Sequence, residues 1–228
     1  MKKRILSILL LCCMVLTMLP TTVLAADGPM DTIPKYDVSI DVYNRTSDIS
    51  IKDSRSYYIY SSVPDKLRDT WAWDKKIFIK GDKAAPHVFI DGVNIEMSPS
   101  SKGPAIELNK KASAYIYFIG KNSSLQGADG RAAIQKNRSE GQLYVLARTG
   151  TTVTCKGGDK AAGIGGSYAT RNISNGYYNG DMYGHGVNMH FGSRSNPDYW
   201  GGIIAAIGGN GGAGIGGGYE SGAGNIEI

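Results

Sequence analysis

The sequence predicts an all-β fold in which the chain coils into a parallel β-helix. Three observations predict it. One motif recurs along the chain, short strand-like runs separate its copies, and 31 of the 228 residues are glycine. Glycine at that level, with no proline period beside it, excludes collagen and reads as repeated tight corners.

The repeat is read first. Gly103-Pro-Ala-Ile-Glu-Leu108, Arg131-Ala-Ala-Ile-Gln-Lys136, Ala161-Ala-Gly-Ile-Gly-Gly166 and Gly212-Ala-Gly-Ile-Gly-Gly217 align on Ile106, Ile134, Ile164 and Ile215. The anchors are 28, 30 and 51 residues apart, so the third interval reads as one unit enlarged by an insertion. The preceding segments align as well, Thr152–Gly166 with Ile203–Gly217 and, more distantly, Asn122–Lys136. Between anchors lie Lys76-Ile-Phe-Ile-Lys80, His87-Val-Phe-Ile-Asp91, Val93-Asn-Ile-Glu-Met97, Tyr115-Ile-Tyr-Phe-Ile119, Leu143-Tyr-Val-Leu146 and Asn225-Ile-Glu-Ile228. These have strand length, β-branched and aromatic enrichment and period-two patterning. Strands so short cannot bury an apolar face alone; stacked coils of about three strands can, with the four isoleucines as inward anchors. An antiparallel β-sandwich is the alternative. It accounts for recurring turns but not for recurrence of one motif. Pro64 to Asp74 reads either as one helical turn or as a loop.

The chain divides into three segments. Residues 1–25 form a signal peptide: basic Lys2, Lys3 and Arg4, an apolar run from Ile5 to Leu19, then Val23-Leu24-Ala25 before the predicted mature start at Ala26. Residues 26–75 are an N-terminal segment or cap, and residues 76–228 carry the repeats, with a long insertion at about 168–200. The run at Asn225–Ile228 matches the start of another unit and no polar cap follows it. The expectation is therefore a chain cut short of a longer protein, able to self-associate through an open C-terminal end.

Charge and cysteine usage narrow the function. The leader holds three basic residues and no acidic one, so its removal lowers the formal charge from +5 to +2. That offers no argument for a nucleic-acid partner. Only Cys155 remains after cleavage, which excludes an intramolecular disulfide. Gly212-Ala-Gly-Ile-Gly-Gly217 satisfies G-x-G-x-x-G, but a strand-like run follows it where a nucleotide site needs a helix, so no nucleotide is expected. Gly208-Gly-Asn-Gly-Gly-Ala-Gly214 lacks the aspartate of calcium-binding glycine repeats. A calcium site from Asp82, Asp91, Asp129 or Asp159 carries no spacing signal, and no spacing joins the histidines into a metal site. Gly184-His-Gly186 has only Asp181 nearby, short of the paired carboxylates that glycoside hydrolysis needs.

The insertion is the unusual segment. Tyr177, Tyr178, Tyr183, Tyr199 and Trp200 lie there among Asn, Gly, Asp and Ser. Aromatic faces stack on sugar C–H surfaces while amides hydrogen-bond the hydroxyls. The competing reading is that these rings cover the flank of the solenoid.

Gly103-Pro-Ala-Ile106, Ala132-Ala-Ile-Gln-Lys136, Ala162-Gly-Ile-Gly-Gly166 and Ala213-Gly-Ile-Gly-Gly-Gly218, in that order, with Asp91-Gly-Val-Asn-Ile95, resemble the repeats of clostridial and related Firmicute surface proteins built on an AGIGGG motif. The likeness covers roughly residues 76–228. It departs at Ser167, where a third glycine is usual, and in the long tyrosine-rich insertion. Those proteins resemble a right-handed β-helix carbohydrate-binding family. The resemblance implies a right-handed coil and a place outside the cell or on the surface of a Gram-positive-type bacterium. The expected function is a non-catalytic, exported carbohydrate-binding module whose partner is a polysaccharide or cell-wall glycan. The alternatives are an adhesin scaffold without a ligand and, third, a polysaccharide lyase or hydrolase on the same fold.

Overall fold

The computed structural model describes residues 34–98, 103–109, 111–136, 140–168, 173–174, 177–178, 184–192 and 200–228. From Lys35 to Ile228 they form one compact unit. The chain winds through three parallel sheets in a fixed order. The first turn supplies β1 (Val38–Asp41) and β2 (Ile49–Ile51), and the second β3 (Ser56–Tyr60) and β4 (Ile77–Lys80). The next three are complete: β5 (His87–Asp91), β6 (Asn94–Glu96) and β7 (Ile106–Asn109); β8 (Ala114–Ile119), β9 (Ser123–Gln126) and β10 (Ile134–Lys136); β11 (Leu143–Ala147), β12 (Thr152–Lys156) and β13 (Ile164–Gly165). A short antiparallel pair, β14 (Ile173–Ser174) and β15 (Tyr177–Tyr178), falls in the insertion. The last turn is β16 (Gly186–Phe191), β17 (Ile203–Ile207) and β18 (Ile215–Gly216), and β19 (Ala223–Glu227) begins another.

Sheet A is β1-β3-β5-β8-β11-β16-β19, sheet B is β2-β4-β7-β10-β13-β18, and sheet C is β6-β9-β12-β17. Each strand pairs in parallel with its equivalent one turn away, the arrangement of a parallel β-helix, and the antiparallel sandwich is excluded. The repeats also begin earlier than the sequence suggested. Residues 26–75, read as a cap, already contain β1, β2 and β3 in register with the later strands. That segment has the apolar alternation of a coil but lacks the glycine motif, which is why it reads differently. Pro64 to Asp74 replaces a strand of sheet C with a 3-10 turn at Asp65–Leu67, and Trp73 makes a single bridge to Ile95.

The register produces continuous rows. Ile49, Ile77, Ile106, Ile134, Ile164 and Ile215 pair in succession through sheet B, each about 4.8 Å from the next. The four anchors named from the sequence thus share one row, and two earlier isoleucines extend it. All but Ile215 are fully buried. The adjacent inward row is Ile51, Ile79, Leu108 and then Lys136, a lysine in an aliphatic position. Its side chain is buried and its Nζ donates to the Glu140 carbonyl at 3.0 Å. Cys155 stands inward in sheet C between Leu125 and Ala206, also fully buried.

The glycine motif has a steric cause. At Gly165 φ is +129°, and a Cβ there would lie 2.1 Å from the Gly216 carbonyl oxygen of the next rung. Only a residue without a side chain allows that approach. The departure at Ser167 has a cause too. Its buried hydroxyl donates to the Gln135 side-chain oxygen and accepts the Ala132 N–H at 3.1 Å, so a serine ties two rungs together. Polar side chains staple other corners: Asn94 Oδ1 accepts from Ser124 N at 3.0 Å and Asn122 Oδ1 from Thr152 N at 2.8 Å.

Candidate ligand-binding face

The outer face of sheet A carries aromatic rows. Strand alternation turns every second side chain outward, and the parallel register then places outward residues of successive turns directly over one another. One row runs Ser56, His87, Tyr115, Tyr144, His190 and Glu227. Its rings stack nearly parallel: His87 on Tyr115 with centroids 4.7 Å apart, Tyr115 on Tyr144 at 4.5 Å, and Tyr144 on His190 at 4.5 Å. The neighbouring row runs Tyr58, Phe89, Tyr117 and Leu146. Phe89 stacks on Tyr117 at 4.9 Å, and Tyr36 stacks on Tyr58 at 5.2 Å. His87 Nδ1 lies 3.0 Å from the Tyr117 hydroxyl, linking the rows.

Trp200 joins this face. Its ring centroid is 5.2 Å from that of Tyr117, and it packs with Tyr60 and Tyr117 on a small outer cluster of Tyr58, Phe89 and Ile119. Of the five aromatic residues proposed from the sequence, Trp200 is the one whose side chain is described. Tyr183 and Tyr199, and the side chains of Tyr177 and Tyr178, lie outside the described residues, as does Asp181. The residues that sequence reasoning missed are His87, Tyr115, Tyr117 and Tyr144. The available signal was their spacing: Tyr115 and Tyr144 each follow the preceding member of their row by one repeat length.

Burial and neighbouring groups tune the phenols. Burial, then the charge of Tyr115, pushes the Tyr117 hydroxyl up to about 12. Burial also raises Tyr58, whose hydroxyl donates to Asp91 at 2.8 Å, and raises Tyr144. These groups stay protonated across physiological pH and act as hydrogen-bonding hydroxyls. The stacked rings keep their faces for one another. What the face offers to a ligand is a line of ring edges and phenol hydroxyls, with half-buried Trp200 at its flank.

A second surface lies on the outer face of sheet C. A polar groove of about 710 Å³ runs from the 3-10 turn over Asn94, Ser124 and Thr154, which are in register. At its wall Asp65 Oδ1 accepts from Arg68 at 3.2 Å and from Lys121 at 2.9 Å. The Lys121 hydrogen bond, above all, lowers the Asp65 carboxyl below its usual range. Among the described residues no three His, Cys, Asp or Glu side chains gather as metal ligands. Asp91, one of the calcium candidates, accepts from Lys121 N at 2.9 Å and from Tyr58. His185 is half-buried beside the last turn, its ring 3.6 Å from where a Cβ on Gly222 would lie.

Comparison with protein-family models, curated proteins and solved structures finds no match for this chain.

Proposed function

We propose that this is an exported, non-catalytic repeat protein that binds a polysaccharide along the outer face of sheet A. The observation that carries the reading is the row of half-buried rings from His87 to His190, flanked by Tyr117 and Trp200. Repetition supports a polymeric ligand, because one turn of the solenoid presents the same chemistry again about 4.8 Å further on. Phenol hydroxyls and ring edges suit hydrogen bonding to sugar hydroxyls, and Trp200 adds an amphipathic ring. The signal-peptide pattern supports a ligand outside the cell, and the resemblance to clostridial surface repeats points the same way.

A glycan array followed by calorimetry tests the reading. Replacing Tyr115, Tyr144 and Trp200 together by alanine should weaken binding to the best oligosaccharide by roughly tenfold to a thousandfold, at about 0.5–1.5 kcal/mol per ring. Circular dichroism should show the fold retained. Unchanged affinity in the folded variant would remove this face from the ligand site.

One observation favours a second reading, a solenoid scaffold without a ligand. The ring faces already satisfy one another, and stacked cross-strand pairs stabilise a sheet on their own account. An array with no bound glycan, together with unfolding of the triple variant, would select it.

A further inference from the structure

Tyr115 and Tyr144 stand apart from the other tyrosines of the outer face. They are register partners on β8 and β11, so they belong to neighbouring turns. Their ring centroids lie 4.5 Å apart and their planes differ by 7°. The other stacked tyrosine pairs among the described residues, Tyr36 with Tyr58 at 5.2 Å and Tyr58 with Tyr60 at 5.1 Å, are wider and less parallel. On its outer sides the Tyr115–Tyr144 pair meets histidines, His87 at 4.7 Å from Tyr115 and His190 at 4.5 Å from Tyr144. A radical on either ring therefore finds one tyrosine stacked on it and no second. His87 is tied to the Tyr117 hydroxyl and His190 to Glu227 at 2.9 Å, so the flanking rings hold the pair in place. Both phenols are half-buried, open enough for a small oxidant to reach. Among the described residues no disulfide joins the turns, because Cys155 is free and fully buried.

We propose that Tyr115 and Tyr144 are an oxidative modification site, coupled by a peroxidase-type one-electron oxidant into a dityrosine that staples two turns of the solenoid. Each ring loses one electron to the oxidant and its hydroxyl proton to water. The unpaired electron of the resulting phenoxyl radical spreads onto the ring carbons beside the one that bears oxygen. One such carbon from each ring joins in a new C–C bond, and the hydrogen each carried moves to that ring's own oxygen, restoring both hydroxyls. Two C–H bonds are exchanged for one C–C bond, and hydrogen peroxide takes up the two electrons and two protons as two waters. The stack supplies each radical with its partner in advance, and the rings need only turn about Cβ–Cγ to bring their edges together. The bridge limits the unfolded chain as a disulfide does. The occasion for it rests on the exported reading, since oxidising conditions prevail outside the cell. The chemistry itself needs neither export nor a glycan.

The test treats the purified protein with a haem peroxidase and hydrogen peroxide, with N-acetyltyrosine in a parallel reaction to show that the oxidant is active. The expected product is a single chain lighter by two hydrogen atoms, with dityrosine fluorescence and a peptide map that joins β8 to β11 at Tyr115 and Tyr144. Tyr115→Phe and Tyr144→Phe keep the stack but remove the oxidisable hydroxyl, so each should lose the fluorescence, and Tyr58→Phe should keep it. The bridged protein should unfold at a higher temperature than the untreated one. A bridge mapped to another pair, bridges only between molecules, or no bridge while N-acetyltyrosine is consumed would overturn the proposal. So would an unchanged unfolding midpoint in the bridged protein, the mark of a bond that braces nothing. The peptide map of the unsubstituted protein decides whether or not a Phe variant folds. A chain that forms the bridge but binds no glycan leaves this proposal standing, and the reverse result leaves the glycan reading standing.

Discussion

Lys136 occupies a place in the core that Ile51, Ile79 and Leu108 fill in the preceding turns. Burial lowers its ammonium from 10.5 to about 8, with the Glu140 charge acting in the opposite direction. A folded pKa below the unfolded one means that between about 8 and 10.5 the unfolded chain holds the extra proton. Stability therefore rises with pH across that window, and the cost of burying the charge is felt in full below it. Lys136→Met should accordingly raise stability at pH 7 by about 1–3 kcal/mol, as replacing buried charges by apolar groups does. It should also flatten the rise between pH 8 and pH 10. Urea unfolding of both proteins at pH 7 and pH 10 checks this; a destabilised variant at pH 7 would show that the Glu140 hydrogen bond outweighs the burial. The sequence hid this residue well, because Lys136 closes a motif copy where a polar end looks natural.

At the scale of strands and corners, glycine acts in two ways that substitution separates. Gly165 has φ +129° and a neighbouring carbonyl oxygen within 2.1 Å of its would-be Cβ, whereas Gly150 has φ +84° and open space around it. Gly165→Ala must both strain the backbone and push two rungs apart, and should cost about 2–4 kcal/mol or prevent folding. Gly150→Ala meets only the conformational penalty and should cost about 1 kcal/mol. Thermal unfolding of the pair checks the ordering, and equal losses would mean that rung contact at Gly165 is easily relaxed. The motif around Gly165 was legible because close rung stacking imposes glycine at fixed offsets from an isoleucine. The turn at Ile49 was not, and the strand at Ile77 was read without its place in the isoleucine row, since these corners are held by Asp and Ser side chains, as in Lys76 N to Asp48 at 3.1 Å and Ala85 N to Ser54 at 3.1 Å. The aromatic rows escaped notice for another reason. Each ring sits alone in its own strand as an ordinary β-former, and only the parallel register gathers rings that are 28 to 46 residues apart. Searching for clustered aromatics instead led to the insertion, from which Trp200 alone has been placed on the face.

A stack of rungs with nearest-neighbour contacts should not lose its structure everywhere at once. Each rung is held by the one before and the one after, so stability accumulates towards the middle and the ends open first. The central turns, β8 to β12, combine complete inward rows with paired edges on both sides. Among the described residues the β17–β19 rung has neighbours on one side and half-covered isoleucines within it. Amide hydrogen exchange should therefore be slowest in β8, β9, β11 and β12, and fastest in β17 and β19. Exchange followed strand by strand under native conditions reads the gradient directly. Uniform protection from β3 to β19 would indicate a fold that opens as one cooperative body.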